Sequence, residues 1–279
     1  LRHSHGIGAH VARWIDRARR SELRIRRSAL SNLAAPQHEI PTSVGHYSCG
    51  PQQLDHVAAV VDAVRRIRDT ELPANDEKPY LVDYPVVTQT GDSPLLRFAL
   101  SEQVVAPVAH YLGIVPILTM ITVLASPHVP AAPLAGSQLF HSDWEDRRQV
   151  KVFVHCSVVR AENGPLTAVT AKASEQVKRA ADYHYGGTGF RLSDDRVIPR
   201  VGAQDVTAFV GPVGAVTFID TSSCLHFGSR MQPGAAERLV VQFQYLTPSA
   251  FDLQLKGSTG RPFAGVTGNF SPTQRLVLG

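Results

Sequence analysis

Three residues have the types and spacing of metal ligands. His141 and Asp143 stand two positions apart, and His226 follows the predicted strand 215–219. On a strand, residues i and i+2 point to the same face, so this imidazole and carboxylate can bind one metal ion. Two histidines and one carboxylate leave further coordination positions open, the arrangement that non-haem Fe(II) oxygenases use. The pattern therefore predicts an iron site, with His226 as the best candidate for the third ligand.

An arginine lies among the apolar residues of the last predicted strand, residues 237–246. Arg238, Val240, Gln242 and Gln244 share one face of this strand, and the residues between them share the other. A buried guanidinium that meets no anion would be an uncompensated charge. Its planar fork suits a carboxylate bound through two hydrogen bonds. A dicarboxylate with one end on the metal and the other on Arg238 satisfies both groups, and 2-oxoglutarate is such a cosubstrate.

Taken together, these features resemble the phytanoyl-CoA dioxygenase family of Fe(II)/2-oxoglutarate oxygenases. The matching stretches are residues 141–144, 151–157, 163–166, 226–230 and the strand that begins at Arg238. The resemblance extends in order and spacing over residues 95–250, and its most specific part is the triad with an arginine twelve residues beyond His226. It implies a double-stranded β-helix, a squashed jelly-roll barrel with helices packed on the outside.

The resemblance also assigns roles to individual residues. It implies that the triad holds iron and that Arg238 binds the distal carboxylate of 2-oxoglutarate. Ser229 is expected to assist Arg238 through its hydroxyl, and Phe153 is expected to contact the cosubstrate. Trp144 and His155 are candidates for the substrate pocket, with a place in the core as the alternative for each.

The reaction that the resemblance implies is an oxidation of a small molecule. Fe(II), 2-oxoglutarate and O2 together attack an unactivated C–H bond, with release of succinate and CO2. Related halogenases have a small residue at the carboxylate position, where chloride binds iron. Because Asp143 is present, we expect hydroxylation, desaturation or ring formation, in the context of natural-product biosynthesis.

The same residues are also compatible with purely structural roles. His141 and Asp143 could be a hydrogen-bonded surface pair, His226 a core histidine, and Arg238 the partner of Asp220 in a structural salt bridge. The corresponding alternative functions are a cupin-like metal enzyme that does not use 2-oxoglutarate, and a non-catalytic jelly-roll binding module. The effect of Arg238 on cosubstrate binding distinguishes the first alternative, and metal uptake distinguishes the second.

Composition limits the class of protein. The 279 residues are 43% hydrophobic and 19% charged, which is enough apolar material for a core and too little charge for a disordered chain. The three cysteines are an odd number and widely spaced, which excludes a disulfide-stapled scaffold and a four-thiolate zinc site.

The basic charge of the chain belongs to one segment. Residues 1–30 contain eight arginines and two acids, a net charge of +6, so the rest carries −2 of the total of +4. This N-terminal arm is predicted to be helical and to pack Trp14 and Ile15 on the body. It has no motif of a nucleic-acid-binding module, so a nucleic-acid partner is not expected.

The pattern of apolar residues predicts helices first and strands later. Helices are predicted at residues 51–70 and 93–112, the second with a kink at Pro107 and with Gly113 as its C′ residue. Residues 71–94 are predicted to be a loop, and the apolar stretch 104–125 is not expected to span a membrane because prolines interrupt it. The predicted strands are 117–124, 137–141, 150–158, 166–169, 206–210, 215–219 and 237–246, with a short helix in 172–185.

We therefore predict one α+β, mainly β domain over residues 1–279: a double-stranded β-helix with a cupin-like barrel and N-terminal helices on its outside. Its parts are the basic arm 1–30, supporting helices 51–112, the β-helix core 116–250 and a C-terminal tail 251–279. No secretory signal is visible at the start of the sequence, so a cytoplasmic enzyme with a small-molecule substrate is expected.

Overall fold

Two antiparallel β-sheets form the centre of the computed structural model, which describes residues 14–70, 78–86, 90–127, 133–184 and 190–279. The strands are β1 His46–Cys49, β2 Val82–Pro85, β3 Ile117–Ser126, β4 Val150–His155, β5 Thr167–Val169, β6 Val206–Ala208, β7 Val216–Ile219, β8 His226–Phe227 and β9 Arg238–Leu246. The larger sheet has the order β1-β7-β4-β9-β3-β2, and the smaller has the order β6-β5-β8. The sheets face each other across a cavity, which confirms the predicted jelly-roll fold.

Strand β9 shows why the larger sheet can bury both of its faces. Leu239, Val241 and Phe243 alternate into the main hydrophobic core. Arg238 and Gln242 point to the opposite side and line the cavity. The predicted division of this strand into two faces is confirmed, since side chains alternate along a strand.

Helices cover the outer face of the larger sheet. The described α-helices are α1 Arg20–Ala29, α2 Val57–Arg68, α3 Pro94–Ala99, α4 Glu102–Leu112, α5 Ala171–Ala180, α6 Asp194–Val197, α7 Phe251–Lys256 and α8 Pro272–Leu278. Phe98 of α3 packs on Phe243 of β9 with ring centroids 5.1 Å apart. The Tyr245 hydroxyl donates a hydrogen bond to the Ala99 carbonyl at 2.8 Å. These contacts fix the strand whose other face carries Arg238.

The helix predicted over residues 93–112 is two helices, α3 and α4. Ser101, between them, is extended, and its hydroxyl donates to the Phe98 carbonyl at 2.8 Å. A serine that satisfies a nearby carbonyl in this way competes with continued helix, so the chain turns here and not at Pro107, which lies inside α4. Gly113 ends α4 with φ of 70°, the left-handed conformation predicted for it.

The helix predicted over residues 51–70 begins only at Val57, as α2. Short edge segments account for further differences from prediction. Strand β2 lies within the predicted loop 71–94, and β1 was not predicted, since strands of four residues carry too little alternation to be recognised. The predicted strand 137–141 instead begins as a 3-10 turn. There the Gln138 amide replaces ladder bonds: its oxygen accepts from the Ala135 N–H at 3.2 Å and its nitrogen donates to the Ser229 carbonyl at 2.9 Å.

Both ends of the described chain pack on the body. Ile15 is buried, whereas Trp14 is 70% exposed, so only one of the two predicted arm contacts forms. Arg26 is buried and donates to the Leu276 carbonyl at 2.6 Å and to the Pro116 carbonyl at 3.2 Å. Residues 1–13 of the arm lie outside the described residues. Within the described ranges, no helix is long and apolar enough to cross a bilayer.

Candidate metal centre

Backbone pairing brings the three predicted metal ligands together. The His141 N–H donates to the His226 carbonyl at 3.0 Å, and the His226 N–H returns the bond to the His141 carbonyl at 2.8 Å. The Asp143 N–H donates to the Thr221 carbonyl at 2.8 Å. The segment that carries His141 and Asp143 is thereby held beside β8, although 85 residues separate the two histidines in the chain.

The ligand atoms converge on one point. One nitrogen or oxygen from each of the three side chains lies within 4.8 Å of the others. Nε2 of His141 is 3.8 Å from Oδ1 of Asp143, and Nε2 of His226 is 3.8 Å from its Oδ2. The Nδ1 atoms lie 2.9 and 3.0 Å from the carbonyls of Leu139 and Cys224, to which they can donate. Such bonds leave the Nε2 lone pairs to face the metal.

The charge states of the three side chains suit a divalent cation. Burial lowers the pKa of His141 and of His226, which favours the neutral imidazole that binds metals. Burial alone would raise the pKa of Asp143, but the adjacent Lys151 and the two histidines outweigh it and hold that pKa below its usual range. The triad therefore presents two neutral nitrogens and a carboxylate, a donor set that fits Fe(II).

Lys151 contacts the carboxylate of the triad, a role that was not predicted for it. Its ammonium donates to Oδ2 of Asp143 at 2.7 Å, and the side chain is buried on the inner face of β4. Burial acts to lower the pKa of Lys151, but the nearby acids, chiefly Asp143, outweigh burial and raise this pKa. The only sequence signal for this contact is a lysine on the same strand face as Phe153 and His155.

Replacing Lys151 by methionine is expected to weaken metal binding by about 10- to 100-fold, because groups that orient a ligating carboxylate have effects of this size. Anaerobic Fe(II) titration of K151M and wild type measures the effect. K172M removes an exposed lysine and is the matched control. Equal Fe(II) affinity in K151M and wild type would contradict a positioning role for this ammonium.

Arg238 places a buried positive charge in the cavity. The side chain is 5% exposed, and Nη2 donates to the hydroxyls of Ser126 and Ser229, each at 3.0 Å. Its Nε is buried with no hydrogen-bond partner among the described residues. Within the described parts of the chain no carboxylate forms an ion pair with it, and burial lowers its pKa to about 10. A buried guanidinium in this position is suited to an anion from outside the chain.

Asp220, the suggested salt-bridge partner of Arg238, has a different role. It accepts hydrogen bonds from the Tyr111 hydroxyl at 2.8 Å and from the backbone N–H groups of Ser222 and Ser223 at 3.0 and 2.9 Å. The alternative of an Arg238–Asp220 ion pair is therefore wrong. The carboxylate instead shapes the turn that leads from β7 to His226.

Alanine at position 220 is expected to lower the free energy of unfolding by about 3 kcal/mol or more, because several buried donors lose their acceptor at once. Urea denaturation of the metal-free protein measures this loss. Asp205→Ala is the control, because it removes a carboxylate that accepts hydrogen bonds in a more exposed 3-10 turn. A loss below about 1 kcal/mol in D220A would show that the turn keeps its structure without the carboxylate.

The metal centre and Arg238 line one cavity of about 310 Å³. Ser229, Phe153 and His155 also line it. Trp144 does not belong to this lining and is 41% exposed, so its placement departs from the expected role in the substrate pocket. The structure thus brings together the triad and four of the five other predicted site residues.

His155 provides a pH test of this buried environment. Burial, together with the Arg238 charge, lowers the pKa of His155 to about 4. Between about pH 6.5 and pH 4 the unfolded chain binds a proton that the folded chain does not, so stability falls as the pH falls. From pH 7 to pH 4, His155 is expected to contribute up to about 3 kcal/mol to the decrease in the free energy of unfolding of wild type. H155Q is expected not to show this contribution, and urea denaturation at each pH measures the difference. H110Q, at an exposed histidine, is the control, and parallel curves for H155Q and wild type would contradict the assignment.

Comparison with known proteins gives matches in structure only. No protein-family model matches the chain, and no curated protein matches its sequence. Among solved structures, the non-haem α-ketoglutarate-dependent carbocyclase SnoK from nogalamycin biosynthesis has a TM-score of 0.54 at 15% identity, covering 78% of this chain and 86% of SnoK. The epimerase SnoN, in complex with Fe3+, α-ketoglutarate and nogalamycin RO, has a TM-score of 0.52 at 15% identity, covering 79% and 84%.

A third match is EctD from S. alaskensis with bound Fe, with a TM-score of 0.51 at 14% identity over 74% of this chain and 73% of EctD. The chain has the fold of these proteins. At these identities the likeness establishes the fold alone.

Proposed function

We propose that this protein is a non-haem Fe(II)- and 2-oxoglutarate-dependent oxygenase. The observation that carries the proposal is a His-Asp-His triad that shares one cavity with Arg238, a buried arginine that has no acidic partner among the described residues. A metal site alone fits many enzymes, and a buried arginine alone fits many anions. Their combination in one cavity fits a dicarboxylate that binds the metal at one end and a guanidinium at the other.

The proposal includes the finer family assignment and the type of reaction. We place the chain in the phytanoyl-CoA dioxygenase family, on the motif pattern of the triad and Arg238. The substrate is a small molecule that is hydroxylated, desaturated or cyclised. SnoK and SnoN are enzymes from nogalamycin biosynthesis, which supports a role in natural-product biosynthesis for this chain as well.

The triad residues would hold the iron, and Arg238 would bind the cosubstrate. Iron bound here supplies O2 activation coupled to oxidative decarboxylation of 2-oxoglutarate, with release of succinate and CO2. Arg238 binds the distal carboxylate, and the Ser126 and Ser229 hydroxyls hold its guanidinium in place. Lys151 holds Asp143 through one carboxylate oxygen, so that the other can face the metal.

The remaining lining controls access to the reacting carbon. Apolar side chains such as Phe153 and Phe209 exclude water from the cavity and so suppress unproductive oxidation. Asp143 occupies the position at which a halogenase would bind chloride. A carboxylate there supports oxygen transfer, desaturation or ring formation as the outcome.

A screen for succinate release tests the proposed function. Purified protein with Fe(II), 2-oxoglutarate and O2 is incubated with a broad panel of small molecules, and succinate is quantified against the rate without added compound. We expect a subset to raise succinate release above this uncoupled rate and to be oxidised stoichiometrically. A protein that binds Fe(II) but never converts 2-oxoglutarate, with or without the panel, would instead support the cupin-like alternative.

A further inference from the structure

A second arginine faces the cavity from a different element. Arg191 lies between helices α5 and α6, just before α6, and lines the cavity together with the metal ligands. Its Nη1 is buried with no hydrogen-bond partner among the described residues. The guanidinium stacks on the ring of Phe190, 4.6 Å from the centroid, and no acidic side chain of the described residues forms an ion pair with it. The described residues therefore hold the Arg191 guanidinium in place but provide no hydrogen-bond acceptor for its Nη1.

Arg191 faces the same cavity as the metal ligands. His141, Asp143 and His226 line this cavity together with Arg191. A group bound to Arg191 would thus lie in the space next to the metal centre.

The other charges of the cavity have partners. Lys151 pairs with Asp143, and Arg238 is matched by the distal carboxylate of 2-oxoglutarate under the proposed function. Fe(II) and the 2-oxoglutarate dianion add no net charge when both bind. Lys78 and Asp83, which also line the cavity, have opposite charges and interactions of their own. Over the described lining residues, four cationic side chains and two acidic ones leave a net charge of +2, which the bound cofactors do not change, so the cavity favours an anionic substrate.

Part of the cavity wall is apolar. The apolar lining includes Leu81, Pro85, Met120, Leu124, Leu166 and Phe209. A molecule that fills this space must place an apolar body against these side chains. An anionic group on the same molecule can then meet the guanidinium, whose two parallel N–H bonds match a carboxylate.

We propose that Arg191 is the substrate anchor and that the substrate is an amphipathic organic acid whose carboxylate binds this arginine. The inference rests on the proposed function, since it assumes that 2-oxoglutarate occupies Arg238. We choose a carboxylate because its two coplanar oxygens match the planar guanidinium fork. The acid group fixes the orientation in which a C–H bond of the body approaches iron.

Ligand binding to the Mn(II)- and 2-oxoglutarate-loaded protein tests this proposal without turnover. The probes are ω-phenylalkanoic acids of increasing chain length, each paired with its neutral amide and with the corresponding phosphate monoester. Dissociation constants come from ligand-observed NMR, and relaxation by Mn(II) reports how close each bound probe lies to the metal. We expect at least one acid to bind near the metal at least tenfold more tightly than its amide. Tighter binding of the corresponding phosphate ester would overturn the choice of a carboxylate.

Variants of Arg191 complete the test. R191Q is expected to remove the preference for the acid while changing 2-oxoglutarate affinity less than twofold, and R191K to keep part of the preference. R179Q alters an exposed arginine that pairs with Glu175 and is the control. No acid preference in wild type, or the same preference in R191Q, would overturn the proposal.

Two further outcomes separate this inference from the proposed function. Loss of 2-oxoglutarate binding in R191Q would overturn Arg191 as substrate anchor and make it a cosubstrate ligand, with the oxygenase function intact. Wild-type protein that fails to bind 2-oxoglutarate would contradict the proposed function. An acid preference that depends on Arg191 in such a protein would still establish the anion site.

Discussion

Alanine in place of Asp143 is expected to lower Fe(II) affinity by more than about 100-fold and to abolish 2-oxoglutarate turnover. The loss should exceed that of K151M, since even groups that only orient a ligand contribute about 10- to 100-fold. Asp143 supplies the one anionic donor among three converging ligands, and its carboxylate stays ionised beside Lys151. Anaerobic Fe(II) titration followed by succinate quantification measures both losses.

A second variant separates metal binding from folding. D143A leaves the Lys151 ammonium buried without its partner, which costs about 3 to 5 kcal/mol of stability when one member of a buried pair is removed. The double variant D143A/K151M removes both charges, and we expect it to recover much of that stability but none of the Fe(II) affinity. If D143A/K151M bound Fe(II) as wild type does, the triad would not be the metal site.

Glutamine in place of Arg238 is expected to raise the dissociation constant of 2-oxoglutarate by about 30-fold or more. The reason is that truncating one member of a buried charge pair costs about 2 to 5 kcal/mol, and each 1.4 kcal/mol is tenfold. Fe(II) affinity should stay within about threefold of wild type, because Arg238 does not contact the triad. Calorimetric titration of 2-oxoglutarate into the Fe(II)-loaded variant under anaerobic conditions measures the change.

A second variant at this position, R238M, provides a control on stability. Arg238 is buried, and among the described residues its Nε has no acceptor and its charge has no acidic partner, an arrangement that destabilises the fold. We therefore expect R238M to unfold at higher urea concentration than wild type when no cosubstrate is present, while it binds 2-oxoglutarate poorly. Unchanged cosubstrate affinity in both variants would favour the cupin-like metal enzyme.

Local sequence pattern was sufficient for the features that depend on one strand or one motif. Alternation along residues 237–246 correctly separated the core face of β9 from the cavity face that carries Arg238. The two-residue spacing of His141 and Asp143 predicted the shared direction of their side chains. The β-rich segments predicted a β-sandwich or barrel core, and the family resemblance specified the jelly roll. The roles of the site residues themselves stay predictions, which the Fe(II) and 2-oxoglutarate titrations test.

Contacts between distant segments were beyond the reach of local pattern. Ser126 meets Arg238 because the pairing of β3 with β9 places the two residues opposite each other. Asp143 lies outside the strands, and its contact with Lys151 depends on how the chain between residue 143 and β4 folds. The sequence around Arg191 gave no sign that its Nη1 would be buried, because that burial depends on the fold. Likewise, Trp144 follows the metal motif in sequence but turns outward, since the chain is no longer in a strand at that point.

The most direct test of the central claim is an anaerobic calorimetric titration of 2-oxoglutarate into the wild-type protein, with and without one equivalent of Fe(II). A dicarboxylate held jointly by the triad-bound metal and by Arg238 should bind one per chain, with affinity at least about tenfold higher when Fe(II) is present. Succinate, which lacks the keto oxygen, should gain much less from the metal. Binding of 2-oxoglutarate that is absent, or the same with and without Fe(II), would contradict joint binding by the metal and Arg238.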